Sequence, residues 1–101
     1  MKSFGDMVKQ AQKLQKQMTE MQEKLAEERY EASAGGGVVK AVVDGKQMLR
    51  EIKISPETLK DGDVTLIEDL VMAAVSEAQS ASEKQMQATL GKLTGGFPLP
   101  F

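Results

Sequence analysis

The chain has no cysteine, no histidine and no tryptophan, and only three phenylalanines and one tyrosine among its 101 residues. Without cysteine there are no disulfides and no thiol chemistry, which suits a reducing cytosol. Without histidine as well, histidine bases, Cys–His nucleophiles and ordinary zinc sites are excluded. No apolar run approaches the length of a transmembrane helix, and the N-terminus lacks the apolar stretch of a secretory signal. Gly35-Gly36-Gly37 lacks the Gly-Lys-Ser/Thr of a phosphate loop and leads into a strand rather than a helix. Asp61 and Asp63 match the opening of a calcium loop only superficially, because the turn glycine is misplaced and Met72 stands where a bidentate Glu is needed. Glu68 and Asp69 are neighbours, and on a helix they diverge by about 100°. No catalytic residue, metal, cofactor, small-molecule substrate or membrane partner is therefore expected.

Charge of either sign is balanced. Thirteen Lys and Arg face fifteen Asp and Glu, for a net charge of −2 and a pI near 5.2. Undirected attraction to nucleic acid is not expected from such a chain; binding to a polyanion requires charge segregated onto one part of the surface. The length fits one domain, 1–101. The hydrophobic share of 41% with so few aromatics predicts a modest core, and seven methionines suit adaptable helix seams.

The dominant feature is the stretch from Phe4 to Tyr30. Read in sevens, Phe4, Ala11, Met18 and Leu25 occupy one seam position. Met7, Leu14 and Met21 occupy the other, and Glu28 breaks the series. This alternating spacing predicts a long helix, 4–30, that pairs with another helix along a narrow seam. No Gly or Pro interrupts it after Gly5, and Lys, Gln, Glu and Ala fill the remaining positions. Such a helix runs roughly 40 Å, too long to be covered by a compact domain with a radius of gyration near 13 Å. Part of it should project as an arm or be covered by a second copy. Its outer face changes sign: Lys2, Lys9, Lys13 and Lys16 precede Thr19, against Asp6 alone, and five Glu follow between Glu20 and Glu31. Lys9, Lys13 and Lys16 lie opposite the seam. Beside the exposed N–H groups of the first turn they form a candidate anion-binding tip; the plainer reading is a solvated face. The break at Glu28 predicts that the chain leaves the helix by about Arg29.

A β-meander is expected over 31–54. Tyr30 to Ala34 starts a strand, the three glycines turn, Val38 to Val43 is the clearest strand, and Asp44-Gly45 reads as a two-residue hairpin turn. Met48 to Ile54 alternates, and one face of so small a sheet must be covered by a helix. Ser55 and Pro56 open a helical turn over 56–60. Thr65 and Glu68 have the spacing of a capping box for a second long helix, 64–90, with Gly91 as its C-cap. The small apolar residues of its first half should pack on the sheet or on a symmetry mate. Leu70, Val71, Ala74 and Ala78 are expected at the interface of an obligate dimer. The tail, 91–101, is apolar and rich in Gly and Pro.

Five stretches, taken together and in order, resemble one family: Met7-Val8-Lys9-Gln10-Ala11-Gln12; Gly36-Gly37-Val38-Val39-Lys40 with Val43-Asp44-Gly45; Ile52 to Glu57; Glu68-Asp69-Leu70-Val71 with Ala73-Ala74; and Gly95-Gly96-Phe97-Pro98. The chain resembles the YbaB/EbfC family of bacterial nucleoid-associated proteins over essentially its whole length. The resemblance implies an α+β fold: a long helix, a three-stranded antiparallel meander, a short turn and a second long helix. It implies a tweezer-like homodimer that binds duplex DNA through projecting helix ends, in the cytoplasm at the nucleoid, with an influence on gene expression. Carried onto this chain, the DNA-binding positions are Lys9, Gln10, Gln12, Lys13 and Lys16, with Lys84 and Lys92 on the last helix. No Arg lies at the tip, so phosphate contacts with weak sequence preference are expected.

Two other readings fit the same order of elements. A prefoldin-like holdase would use apolar arm tips to hold unfolded chains, and a structural dimerisation module would need no function for the lysines. Lys and Gln at the arm ends favour nucleic acid; exposed apolar residues favour clients.

Overall fold

The computed structural model describes residues 3–60 and 62–93. Lys2, Asp61 and the tail from residue 94 onward lie outside them. The elements follow in the order α1 (Phe4–Glu27), β1 (Tyr30–Ala34), a tight turn (Gly35–Gly37), β2 (Val39–Val43), β3 (Leu49–Ile54), α2 (Pro56–Lys60) and α3 (Val64–Leu93). This is the expected α+β arrangement. The strands form one antiparallel sheet in the order β1-β2-β3. Tyr30 pairs with Val43 and Ala34 with Val39, while Val39 pairs with Ile54 and Ala41 with Ile52.

All three turn glycines have positive φ (64°, 74° and 99°), a region that side chains strongly disfavour. At Gly35 a Cβ would also meet Val38 Cγ2 at 2.8 Å and Leu70 Cδ2 at 3.0 Å. The glycine run is thus what reverses the chain between β1 and β2 while leaving room for α3.

One face of the sheet carries Val39, Ala41 and Val43, all fully buried, flanked by Tyr30, Ala32, Ala34, Ile52 and Ile54. Helix α3 covers it with Ala74 and Ala78, also fully buried, and with the half-buried Leu70, Val71 and Val75. Small Cβ groups at Ala74 and Ala78 let the helix backbone lie close to the sheet. Of the two places open to this half of the helix, Ala74 and Ala78 take the sheet, while Leu70 and Val71 keep part of their surface exposed. The opposite face of the sheet is open and charged, with Lys40 4.0 Å from Glu31 and Lys53 3.3 Å from Glu51. Such solvated pairs add little stability.

Helix α1 ends at Glu27 with Glu28 as its cap, and Tyr30 already belongs to β1. The seam thus ends where the apolar series breaks. Of the seam residues only Leu25 is buried and Met21 half-buried. Phe4, Met7, Leu14 and Met18 are 81%, 59%, 61% and 56% exposed. The helix therefore stands off the body as an arm, and the molecule measures 71 × 22 × 16 Å with a radius of gyration of 19.6 Å, well above the ~13 Å of a compact chain of this length.

Other local expectations shift. Leu66 N–H bonds Asp63 Oδ1 at 3.0 Å, so Asp63 rather than Thr65 caps α3: it is the first side-chain acceptor ahead of the helix. α3 then runs through Gly91 to Leu93. The Asp44-Gly45 pair does not form a two-residue hairpin. The connection spans Asp44 to Met48, and its left-handed residue is Gln47, with φ 68°.

Candidate nucleic-acid interface

Helix α1 begins at Ser3, whose Oγ accepts the Asp6 N–H at 3.2 Å. Asp6 places a carboxylate in the first turn, where it suits the helix dipole. One N–H of that turn is thus already taken and a negative charge sits beside the rest. The first turn is therefore less open to an anion than its exposed N–H groups alone suggest.

Lys9, Lys13 and Lys16 are exposed, as are Gln10 and Gln12. At about 100° per residue, Lys9, Lys13, Lys16 and Gln12 share one face, directly opposite the apolar stripe of Phe4, Met7, Leu14 and Met18. Gln10 falls between the two faces. The three lysines span roughly 10 Å of helix axis. Among the described residues none of them is ion-paired, so the row presents three uncompensated cations. Towards the body the surface turns acidic, with Glu20, Glu23 and Glu27 exposed. Positive charge is thus segregated onto the outer half of the arm, as a chain of net negative charge requires for binding a polyanion. Lys84 and Lys92 are exposed on the distal half of α3, on a different element from this row.

The arm is rooted in a knot of polar contacts that the sequence did not single out. Arg29 closes the C-terminus of α1, donating to Ala26 O at 2.7 Å and Glu28 O at 2.8 Å. Glu28 accepts the Tyr30 hydroxyl at 2.5 Å. Burial, that hydrogen bond and the charge of Glu28 push Tyr30 up to about 12. In the turn after β2, Asp44 is fully buried. Its carboxylate accepts from Lys46 N–H at 2.7 Å, Met48 N–H at 3.1 Å and Arg50 Nε at 2.9 Å. Burial pushes its carboxyl up, but the N–H groups of Met48 and Lys46 and the Arg50 guanidinium outweigh that, so Asp44 titrates below the usual carboxylate range. Arg50 reaches it because β3 bulges here: Val42 faces Glu51 and Val43 faces Leu49, leaving Arg50 between them. Behind the turn, Ser82 of α3 donates to Asp44 O at 2.7 Å. An Asp-Gly pair reads as a turn from sequence; nothing local announces that its carboxylate is buried.

Comparison with known proteins bears on the family and the fold. The family model described as the YbaB/EbfC DNA-binding family matches residues 1–97. A nucleoid-associated protein of Caldanaerobacter subterraneus subsp. tengcongensis is 42% identical over 98 residues, covering 97% of this chain and 88% of that protein. A nucleoid-associated protein of Gemmatimonas aurantiaca is 43% identical over 95 residues, covering 94% and 91%. The crystal structure of the uncharacterized protein HP0035 from Helicobacter pylori shares the fold, with a TM-score of 0.79 at 18% identity over 93% of this chain and 99% of that one. With its bare lysine-bearing arm, its three-stranded meander and a family match running almost end to end, the chain belongs to the YbaB/EbfC DNA-binding family.

Proposed function

We propose that the chain is a nucleoid-associated protein of the bacterial cytoplasm that binds duplex DNA as a homodimer and so influences gene expression. The observation that carries this is the two-sided arm: an apolar stripe open to solvent on one side of α1, and an unpaired lysine row on the other. A second copy covers the stripe, with Leu70 and Val71 available to extend the contact, and the lysines of both copies stay free for phosphates. Gln10 and Gln12 add hydrogen bonds to backbone or base edges. Lys84 and Lys92 contribute secondary phosphate contacts from α3. The names of the relatives and the description of the family support the DNA partner. The test is a titration of purified protein against unrelated duplexes. Binding of comparable strength to each, lost with salt, supports the reading; no binding at low salt overturns it.

The exposed Phe4, Met7, Leu14 and Met18 also favour a holdase with apolar arms. That reading expects the protein to suppress aggregation of an unfolded client at a salt concentration where DNA is released. The DNA-binding reading expects no such protection, because the partner copy covers the stripe.

A further inference from the structure

Within its own chain helix α1 is buried only near its C-terminal end, so the contacts there set the angle at which the arm leaves the body. The turn between β2 and β3 supplies part of that contact. Gly45 N–H donates to Leu25 O of α1 at 2.7 Å. A Cβ on Gly45 would stand 2.7 Å from that oxygen, 2.8 Å from Glu28 Oε2 and 3.0 Å from Leu25 Cα. Two of those atoms are backbone and cannot swing aside. The φ of Gly45 is not positive, so the need for glycine is set by the approach of α1 and not by the turn itself. The turn is in turn stapled to α3, with Ser82 Oγ donating to Asp44 O at 2.7 Å and Gln79 Nε2 to Gln47 O at 3.2 Å. Gln47 is held in the left-handed region, with φ 68°, a conformation that persists only where its surroundings impose it.

We propose that Asp44 and Gly45 are positioning residues for DNA binding: they latch α1 to α3 and fix the direction in which the lysine row projects. This rests on the reading of α1 as the DNA-binding arm. The effect is one of leverage. Lys9 lies sixteen residues beyond Leu25, about 24 Å along the helix, so a tilt of roughly 10° at the latch displaces it by about 4 Å. Charge-assisted contacts are made at about 2.7–2.9 Å, and such a displacement breaks them. Neither Asp44 nor Gly45 touches the ligand; both act through where they put Lys9, Lys13 and Lys16.

The absence of cysteine makes the test direct. Cysteines are introduced at Gly5, near the free end of the arm, and at Lys53, on the open face of the sheet, and are spin-labelled. Labelled chains are diluted into a large excess of unlabelled chain, so that one pair is read per dimer. In the otherwise unchanged protein the distance distribution should be narrow. Gly45→Ala should shift or broaden it by several ångströms while hydrogen exchange in β2 stays slow, and the salt slope of DNA binding should become shallower by about 2, equal to one lysine lost from each arm. Ser82→Ala removes only a hydroxyl and serves if Gly45→Ala does not fold; it should broaden the same distribution. An unchanged distribution in a folded variant overturns the latch. A shifted distribution with unchanged DNA affinity leaves the latch standing and overturns the role of the arm in binding.

Discussion

Tyr30 pairs across the sheet with Val43, the residue before Asp44, and Asp44 and Tyr30 shift in opposite directions. The carboxyl of Asp44 is held below its ordinary range by the N–H groups and guanidinium that outweigh its burial. Its ionised form is thus favoured by folding. It contributes stability above the carboxyl pKa of an unfolded chain, near 4, and that contribution is lost as pH falls through the lower folded value. Asp44→Asn should flatten the acid limb of a plot of urea midpoint against pH. Asp44→Ala leaves the N–H groups of Lys46 and Met48 without partners and should cost roughly 2–3 kcal/mol, read as a lower midpoint at neutral pH. Tyr30 is pushed up to about 12 by burial first and then by Glu28. Its neutral form is favoured by folding, so its contribution is present below pH 10 and lost as pH rises towards 12. Tyr30→Phe should leave less of an alkaline decline. None of this was legible in the sequence, where Asp44-Gly45 carries the signature of a simple hairpin turn. A one-residue bulge in β3 and the arrival of Ser82 from thirty-eight residues away make it a junction, and such long-range contacts leave no local pattern.

The elements were largely legible because each obeys its own period. The heptad of α1, the β-branched run of β2 and the glycines between β1 and β2 all sit where the pattern put them. The broken seam at Glu28 marks the end of α1, which stops at Glu27, three residues short of the expected 4–30. The uses of the faces were harder to read. Small apolar residues at Ala74 and Ala78 suit a close helix–helix contact and a close helix–sheet contact equally well, and composition cannot separate the two. The structure gives them to the sheet. This difference predicts a contrast between two substitutions. Leu70→Asp puts a charge against the intrachain core and should unfold the protein, seen as loss of the cooperative urea transition. Leu14→Asp alters a residue that is 61% exposed in the single chain and should leave each chain folded, with a stability change within about 0.5 kcal/mol. It should instead shift the sedimentation of the protein from dimer towards monomer. A folded, unshifted dimer for Leu14→Asp would place the interface elsewhere than the α1 stripe.

The whole molecule is an arm on a small body, 71 Å long, with acidic charge near the root and basic charge towards the tip. An acidic pI does not forbid DNA binding in such a molecule, because the field near the arm is set by the local row and distant charges are screened beyond about 8–10 Å in physiological salt. In the proposed homodimer, two copies offer six lysines from Lys9, Lys13 and Lys16. Counterion release then gives a slope of log affinity against log salt near about −5. Lys13→Ala removes two of the six and should flatten the slope by about 2, to a similar degree on unrelated duplexes, since phosphate contacts carry little sequence information. The most direct measurement is the same salt titration on the protein with Lys9, Lys13 and Lys16 all changed to Ala, run beside the unchanged protein. The expected result is a folded dimer whose affinity collapses and whose slope loses most of its value. A folded dimer that keeps both its affinity and its slope would show that the α1 row is not the DNA-binding surface.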